Sequence, residues 1–531
     1  MQVSADAAAH DAAWGALGGA VRQLLAAPLR VLPGRLRGTL DESEAYDCVP
    51  QLLAAHSIHG AGMGGGSGWG DASVLRDTTR LFLRIVPSLT YVSPLARAAR
   101  ARVNPKRPLG LLAGAEAAEA AAVAAMWPPL PARPPPHQRK IRVGLVSGLF
   151  REHAVGAMAL SLVEGLPKDR FQVALLQLPT RVDALSQRLA RAATTALALP
   201  VNLTQARRRV ESLQLDVLLL PDTLDPLAYF LAYSRLAPVQ CAFWVRGTSL
   251  AMPWSVDYHV TSALFGAAHP TAAEHFSEQL VQLDGLAWIG GRRNPPPRPA
   301  GPPMHEFDGH HFYDDKHLYL SISSLRVHPD YDSMVARLLA ADPAAELVIV
   351  DDDSEGVQQD IWREQLLQRF HRSLGRARAK RIRLFPQTNS SVILQLIRIA
   401  DVVLDPFPLG NAIATHDAFS LATPVVTLPS RQRPGAQYAA GMYRAMGLAH
   451  HVPATVREYV ARAVRLANDT AFRHAQMTEI SRARAAIQRG SEGAAMDEWS
   501  RFLTTVTRPF QPSFEELDDA QRRRQQARQQ H

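Results

Sequence analysis

The chain has 531 residues, which is too long for a single hydrophobic core, so we expect two or three domains. Its composition, 47% hydrophobic and 20% charged, is that of an ordinary globular protein, and two cysteines exclude a disulfide framework. A net charge of +9 suits an anionic substrate, but the basic residues are scattered, which disfavours a nucleic-acid partner. No apolar run is long and clean enough to predict a membrane span.

The cysteine content also bears on the compartment. Two cysteines far apart, Cys48 and Cys241, favour a reducing environment, so we predict a cytoplasmic protein, with the nucleus as an alternative. The first 40 residues are mildly amphipathic and contain arginine, whereas Asp6 and Asp11 depart from the acid-poor composition of transit peptides. An organellar transit peptide therefore stays open as an alternative.

Residues 1–105 are predicted to form a helical N-terminal region without a clear repeat of about 34 residues. Its stretch GMGGGSGWG (62–70) has no preceding strand and no following Lys-Ser/Thr, so a flexible loop is favoured over a phosphate loop. Residues 79–99 are predicted to form a last helical pair that docks onto the next unit. Residues 106–139 form an Ala/Pro-rich linker that ends in WPPLPARPPPHQ.

Strands and helices alternate twice after this linker. Residues 140–292 begin with the buried strand KIRVGLVSG, and residues 313–507 begin with HLYLSIS. The second Pro-rich stretch, 293–312, separates them, and a basic tail, 508–531, ends the chain. This alternation predicts two α/β units, each a doubly wound parallel sheet of the Rossmann type. The strands and helices predicted inside these units are helix 157–164, strand 171–177, helix 184–192, strand 217–220, strand 347–353, strand 381–386 and strand 402–404.

The run RIADVVLDPFPLGNAIATHDAFSLATPVVTLP, residues 398–429, is the most informative stretch. It predicts a buried strand, a turn rich in Pro, Gly and Asn, a helix that begins near Ile413, and a second strand over 424–428. A loop that leads from a parallel strand into a helix presents backbone N–H groups and the positive helix end to a phosphate. Asp417 on that helix could hold ribose hydroxyls, so the stretch predicts a nucleotide diphosphate site.

The pattern LDPFPxGxxxxxxDAFxxxTPVVTLP resembles the second catalytic half of the O-GlcNAc transferase family. The resemblance runs from about Lys140 to about Asn468. It implies the glycosyltransferase architecture called GT-B, in which two Rossmann-like domains face a cleft. In that family an Asp and a Gly/Thr-rich turn hold the nucleotide of a UDP-sugar, which assigns donor binding here to Gly410, Asn411, Thr415 and Asp417.

Two further residues carry roles that the resemblance implies. In SSLRVHPDYD, Arg326 stands where the family has a Lys that contacts the diphosphate. Arginine keeps the charge but presents a planar fork instead of a compact ammonium. In SGLFREHAVG, His153 matches a family His near the acceptor, proposed there as a proton acceptor. These residues are the predicted catalytic pair.

The chain departs from the family at several of these positions. Ala412, Ile413 and Ala414 occupy positions where small polar groups are expected, and VRGTSLAMPWSV replaces the expected acceptor loop. No metal site is predicted: His305, His310, His311 and His317 fit no ligand spacing. The acidic run 351–353 is explained by a helix N-terminus as well as by Mg²⁺.

The resemblance implies an inverting, metal-independent glycosyltransferase without a cofactor. Its expected donor is a UDP-sugar, UDP-GlcNAc above others, and its expected acceptor is a Ser/Thr hydroxyl on a protein. GDP-fucose as donor, or an Asn acceptor, is an alternative within the same class. A degenerate fold that serves as a binding or scaffold protein is the alternative from another class, because the phosphate turn is eroded.

Overall fold

The computed structural model describes the greater part of both predicted units and pieces of the N-terminal region. The described residues are 7–26, 72–85, 87–103, 139–221, 223, 225–243, 249–266, 276–284, 305–323, 327–351, 357–386, 388, 390–406, 410–429, 437–488 and 492–507. The glycine-rich stretch 62–70, the proline tract WPPLPARPPPHQ, Arg326 and the basic tail lie outside them. No described helix combines the length and the hydropathy that a membrane crossing needs.

The described part of the N-terminal region contains three helices, α1 (Ala7–Ala26), α2 (Ala72–Ile85) and α3 (Pro94–Val103), and a 3₁₀ turn at Pro87–Thr90. Phe82 of α2 packs edge-on against Phe230, with ring centroids 5.6 Å apart. The backbone of Ser93 donates a hydrogen bond to the carbonyl of Arg235 at 2.8 Å. The segment 79–99 therefore docks on the first α/β unit, as the sequence predicted.

The first unit is a seven-stranded sheet in which every neighbouring pair is parallel, in the order β3-β2-β1-β4-β5-β6-β7. Its strands are β1 (Ile141–Ser147), β2 (Phe171–Gln177), β3 (Thr195–Ala198), β4 (Val217–Leu220), β5 (Val239–Phe243), β6 (Tyr258–Ser262) and β7 (Gln279–Leu283). Its helices are α4 (Ala154–Gly165), α5 (Ala184–Ala192), α6 (Leu203–Ser212), α7 (Pro226–Tyr233) and α8 (Ala263–Gly266). All four residues of β4 are buried, because helices cover both faces of the sheet.

The second unit is a five-stranded parallel sheet in the order β12-β11-β10-β13-β14. A short antiparallel hairpin, β8 (Glu306–Phe307) and β9 (His310–His311), precedes it within the predicted linker 293–312. The sheet strands are β10 (His317–Ile322), β11 (Ala345–Val350), β12 (Ile382–Phe385), β13 (Val402–Leu404) and β14 (Val425–Val426). The helices are α9 (Asp330–Ala341), α10 (Val357–Leu374), α11 (Arg376–Ala379), α12 (Ser390–Ile399), α13 (Ala412–Ser420), α14 (Tyr438–Ala445), a 3₁₀ turn (Ala449–His451), α15 (Val456–Asn468), α16 (Thr470–Ala483), α17 (Ala485–Gln488) and α18 (Glu492–Thr507).

The last helix, α18, departs from the predicted domain division, which placed it in the second unit. The Trp499 ring packs edge-on against Phe243 of β5 at a centroid distance of 4.7 Å, and the Phe502 ring packs against Tyr258 of β6 at 5.6 Å. The chain therefore returns to the first unit at its end. Apolar residues at helical spacing on α18 bury against that sheet, which a reading of chain order alone does not reveal.

Each sheet has one point where the strand order reverses. In the first sheet the chain runs from β1 outward to β3 and then continues at β4 on the other side of β1; in the second it runs from β10 to β12 and continues at β13. Loops at the carboxyl ends of the strands on either side of such a point form the crevice where ligands bind to doubly wound sheets. The two candidate crevices therefore lie between the loops after β1 and β4 and between the loops after β10 and β13.

Candidate functional site

The turn between β13 and α13 lies at the switch point of the second sheet. Asn411 donates a hydrogen bond from Nδ2 to the carbonyl of Ile322, the last residue of β10, at 3.2 Å. This bond joins the turn to the start of the loop that follows β10. The loop contains Arg326, which lies outside the described residues, so its role as a diphosphate contact stays a prediction.

Asn411 is also the N-cap of α13. Its Oδ1 accepts hydrogen bonds from the backbone N–H groups of Ile413 and Ala414, both at 3.0 Å. Asparagine is among the best N-cap residues, because a short side chain with an oxygen acceptor reaches the second and third N–H groups of the helix. The amide thus occupies two of the N–H groups that the sequence offered to a phosphate.

A buried carboxylate, Asp405, lies beneath this turn. Its Oδ1 accepts the backbone N–H of Asn411 at 3.0 Å, and its Oδ2 accepts the hydroxyl of Thr427 at 2.8 Å. Burial raises the pKa of the Asp405 carboxyl to about 7, and these two hydrogen bonds oppose the rise. Tyr459 donates its hydroxyl to the Asp405 carbonyl at 3.2 Å. In the sequence, Asp405 stands out only as the aspartate of the LDPFP motif that carries the family resemblance.

Gly410 lies directly against that carboxylate. A Cβ atom added at Gly410 would lie 2.7 Å from Oδ2 and 2.8 Å from Oδ1 of Asp405, closer than real Cβ contacts allow. The position therefore requires glycine because of close packing. An aspartate at a strand end, followed by a glycine in the next turn, is the sequence signal that could have identified this pair.

Thr415 and Asp417 are both buried on α13. The Thr415 backbone N–H donates to the Asn411 carbonyl, which is the first full helical bond. Asp417 is only 6% exposed, which excludes a carboxylate on a solvated helix face. Its Oδ1 lies 3.9 Å from Nδ1 of the buried His416. The structure thus brings Gly410, Asn411, Thr415 and Asp417 together on one turn and the helix that follows it.

His153 lies at the switch point of the first sheet, in the loop after β1. It is the N-cap of α4, where its Nδ1 accepts the backbone N–H of Val155 at 3.1 Å. A neutral imidazole whose Nδ1 accepts must carry its proton on Nε2. Nε2 of a neutral His153 is therefore a hydrogen-bond donor.

The neighbouring loop, which follows β4, meets the His153 loop through a glycine and an aspartate. A Cβ atom at Gly148 would lie 3.1 Å from Oδ2 of Asp225. Asp225 is the N-cap of α7 and accepts the backbone N–H groups of Leu227 and Ala228. Burial raises the pKa of Asp225.

The two units touch at the carboxyl edge of the first sheet. Helix α8 follows β6 at that edge, and its Phe265 ring packs edge-on against Tyr438 of α14, with centroids 5.0 Å apart. Arg444 of α14 donates a hydrogen bond to the carbonyl of Leu264. The edge that carries the His153 loop therefore faces the second unit.

Three of the four histidines singled out in the sequence each lie beside a different acidic residue. His310 lies 3.3 Å from Glu346, His311 lies 3.5 Å from Glu306, and His317 lies 2.7 Å from Asp342. Each histidine therefore belongs to a separate pair.

Another group, His450, His451 and Glu479, has the spacing of metal ligands within the part of the chain that the structure describes. Arg462, however, donates to Nδ1 of His451 at 2.9 Å, so Nε2 of that ring keeps its proton and bonds to Glu479 at 2.7 Å. If Nε2 bound a metal, the proton of the neutral ring would lie on Nδ1, where it would point at the N–H groups of the Arg462 guanidinium. The group is therefore a hydrogen-bonded network.

No family model and no curated protein matches the chain. Among solved structures, the chain is similar to a mutant O-GlcNAc transferase from Thermobaculum terrenum, with 21% identity, a TM-score of 0.60, and coverage of 88% of this chain and 89% of that one. Sucrose-phosphate synthase from Thermosynechococcus elongatus (13% identity, TM-score 0.44) and a glycosyltransferase from Rickettsia africae ESF-5 (8%, 0.43) match about two thirds of the chain and their own full length. At these identities the likeness is one of fold. The chain has the GT-B fold of glycosyltransferases, as the sequence predicted.

Proposed function

We propose that the protein is a glycosyltransferase that takes its sugar from a nucleotide diphosphate donor bound in the second unit. The observation that carries this proposal is the turn at the second switch point, where Gly410 and Asn411 lead into the N-terminus of α13. The positive end of a helix and its backbone N–H groups favour a phosphate at this place. A neutral amide, rather than a carboxylate, caps the helix.

The donor would make three kinds of contact. The diphosphate would lie on the Gly410–Asn411 turn, with the Thr415 hydroxyl beneath it and the Arg326 guanidinium neutralising charge on the leaving group. Asp417 would hold the ribose hydroxyls, and its burial suits a water-poor site. No metal is needed in this arrangement, because the protein supplies the positive charge.

The Asn411 cap lowers the expected affinity for the donor. Phosphate oxygens can bond the Ile413 and Ala414 N–H groups only by displacing Oδ1 of Asn411. Hydroxyls are also missing at Ala412, Ile413 and Ala414, and each lost bond to a charged group costs about 1.5–3 kcal/mol. We therefore propose donor binding that is weaker than the family pattern implies.

For the acceptor side we propose transfer, with inversion, of GlcNAc from UDP-GlcNAc to Ser/Thr hydroxyls of proteins. His153 lies at the first switch point, on the sheet edge that faces the second unit. Its Nε2–H can donate a hydrogen bond to an acceptor oxygen. To accept a proton at Nε2, the ring would first have to release the Val155 N–H and move its own proton to Nδ1.

A scaffold protein that keeps the fold without the chemistry is the second candidate. The occupied N–H groups of α13 and the three apolar residues in its first turn favour it. If the donor is GDP-fucose or the acceptor is Asn, the protein is still a glycosyltransferase, but with a different substrate.

Calorimetric titration of UDP, UDP-GlcNAc and GDP-fucose distinguishes these candidates. We expect one nucleotide to bind selectively and to lose about tenfold or more in affinity in Asp417→Ala, because a ribose hydrogen bond to a carboxylate contributes about 1.5–3 kcal/mol. Asp417→Asn keeps the shape and tests the charge, and Asp497→Ala, an exposed carboxylate on α18, is the matched control. Failure of all three nucleotides to bind at millimolar concentration would leave only the scaffold candidate.

A further inference from the structure

Asp405 has a buried carboxylate, and no cationic side chain among the described residues pairs with it. Its side chain accepts one backbone N–H and one hydroxyl. Among the described residues, the other titratable groups that interact with it are Tyr331 of α9, Tyr443 of α14 and Tyr459 of α15. Burial raises the pKa of all three phenols, so they are neutral at physiological pH. A carboxylate in such surroundings is costly to ionise.

The same carboxylate supports the turn on which the donor would lie. It bonds the N–H of Asn411, and it lies against Gly410 with no room for a side chain. An anion on the outer face of this turn would therefore lie close to a second anion on its inner face. Two negative charges at such proximity in a buried site repel each other, and protonation of the carboxylate removes the repulsion.

We propose that Asp405 is a positioning residue for the donor, and that an anionic diphosphate binds to the Gly410–Asn411 turn together with one proton taken up by the Asp405 carboxyl. This inference rests on the proposed function. The protonated carboxyl keeps both of its contacts, because its carbonyl oxygen still accepts the Asn411 N–H and its O–H can donate to the Thr427 hydroxyl. The turn therefore keeps its geometry while it loses a charge.

The direction of the pH dependence follows from linkage. In the free protein the Asp405 carboxyl loses its proton as the pH rises through about 7. A bound diphosphate raises the pKa further, so the complex keeps the proton to higher pH. Donor affinity is therefore greatest below pH 7 and falls above it, by about tenfold in total for a pKa difference of one unit between the free and bound protein.

The test is calorimetric titration of UDP-GlcNAc at pH 6, 7 and 8, in buffers that differ in their heat of ionisation so that bound protons are counted. UDP-GlcNAc is used because its diphosphate is esterified at both ends and does not itself titrate in this range. We expect proton uptake on binding to the unmodified protein and weaker binding at pH 8 than at pH 6. Asp405→Asn should abolish the uptake and retain the pH 6 affinity at pH 8.

Asp401→Asn is the matched control. Asp401 precedes β13 as Asp405 follows it, and burial raises the pKa of its carboxyl too. It bonds the Leu318 N–H and pairs with Arg473 at the opposite edge of the sheet, away from the turn. Its substitution should leave proton uptake and the pH profile of donor binding unchanged.

Three results would overturn the inference while leaving the proposed function intact. The first is donor binding without proton uptake. The second is a donor affinity that Asp405→Asn lowers equally at every pH, which would indicate a purely structural role. Should Asp405→Asn not fold, Thr427→Val serves instead: it removes a hydrogen bond that lowers the Asp405 pKa, so the midpoint of the pH profile should move upward. An unmoved midpoint is the third contrary result. No nucleotide binding at any pH would overturn the proposed function, and this inference with it.

Discussion

The switch points of the two sheets are built from similar parts. At each, a helix follows the strand that continues on the far side of the first strand: α7 follows β4, and α13 follows β13. At each, a glycine lies against an aspartate: Gly148 against the half-buried Asp225, and Gly410 against the buried Asp405. Burial raises the pKa of both aspartates.

The two switch points differ in which group caps the helix. In the first unit the aspartate itself is the cap, because Asp225 accepts two N–H groups of α7. In the second unit the neutral amide of Asn411 is the cap and the aspartate lies underneath. The first N–H groups of α7 are thus bonded to a carboxylate, whereas those of α13 are bonded to a neutral amide. This difference is the physical reason to assign an anionic donor to the second unit and leave the first to the acceptor.

Of the changes predicted here, substitution of His153 should have the largest effect, a loss of turnover. Such a loss would show that the first switch point contributes to the chemical step and not to donor binding. Asn can replace the His153 cap through its own oxygen but has no ring nitrogen that exchanges protons. His153→Asn should therefore lower turnover by about 10²–10⁴-fold, the usual contribution of acid–base catalysis, with donor affinity unchanged. Steady-state rates and nucleotide titration measure the two quantities.

His474→Asn, an exposed histidine on α16, controls for a general effect of losing an imidazole. A His153→Asn enzyme with full turnover would show that the ring only caps α4. In that case the first switch point supplies no chemical group at this position.

Exchanging the two caps tests the comparison itself. Asn411→Asp would give α13 the anionic cap that α7 has, and we expect the donor to bind about 30-fold or more weakly because like charges then meet. The free energy of unfolding should fall by about 1–3 kcal/mol, because Asp caps the helix as well as Asn does but cannot donate to the Ile322 carbonyl. Nucleotide titration and urea unfolding of the same samples separate the two effects.

The reciprocal variant, Asp225→Asn, should leave donor affinity unaltered. If it weakens the donor as much as Asn411→Asp does, the donor does not lie in the second unit alone. The division of roles between the units would then be wrong.

The sequence predicted the two sheets well for a definite reason. Parallel strands buried on both faces appear as apolar runs, so the predicted strands 171–177 and 217–220 agree with β2 and β4 residue for residue. Strand ends agree less well: the predicted strand 424–428 is only Val425–Val426. The return of α18 to the first unit depends on contacts of Trp499 and Phe502 with strands far away in sequence.

The sequence proposed residues for the candidate site, which stay predictions, and it could not give the states of their side chains. Asn411 was predicted as a phosphate contact, and only the fold reveals that its side chain is engaged with Ile413 and Ala414. The titration of Asp405 was not predictable, because its burial results from Thr427 and from helices that come later in the chain. Local sequence identifies a turn, whereas the charge of a buried group depends on distant neighbours.

The smallest effect is expected from replacing the two glycines, Gly410 and Gly148, by alanine. A Cβ at Gly410 would lie 2.7 Å from an Asp405 oxygen, whereas one at Gly148 would lie 3.1 Å from an Asp225 oxygen. Gly410→Ala should lower the free energy of unfolding by about 1–2 kcal/mol, a typical cost of overpacking, and Gly148→Ala by less. Urea unfolding at one fixed pH measures both.

A double substitution shows whether the carboxylate causes this cost. Asp405→Ala makes room for the new methyl group, so Gly410→Ala should cost less in that background than in the unmodified protein, a departure from additivity of about 0.5 kcal/mol or more. Additive costs would mean that backbone preference, and not the contact with Asp405, requires glycine here. The contact between Gly410 and the Asp405 carboxylate would then contribute little to stability. The proposal of proton-linked donor binding, which is argued from that contact, would be weakened.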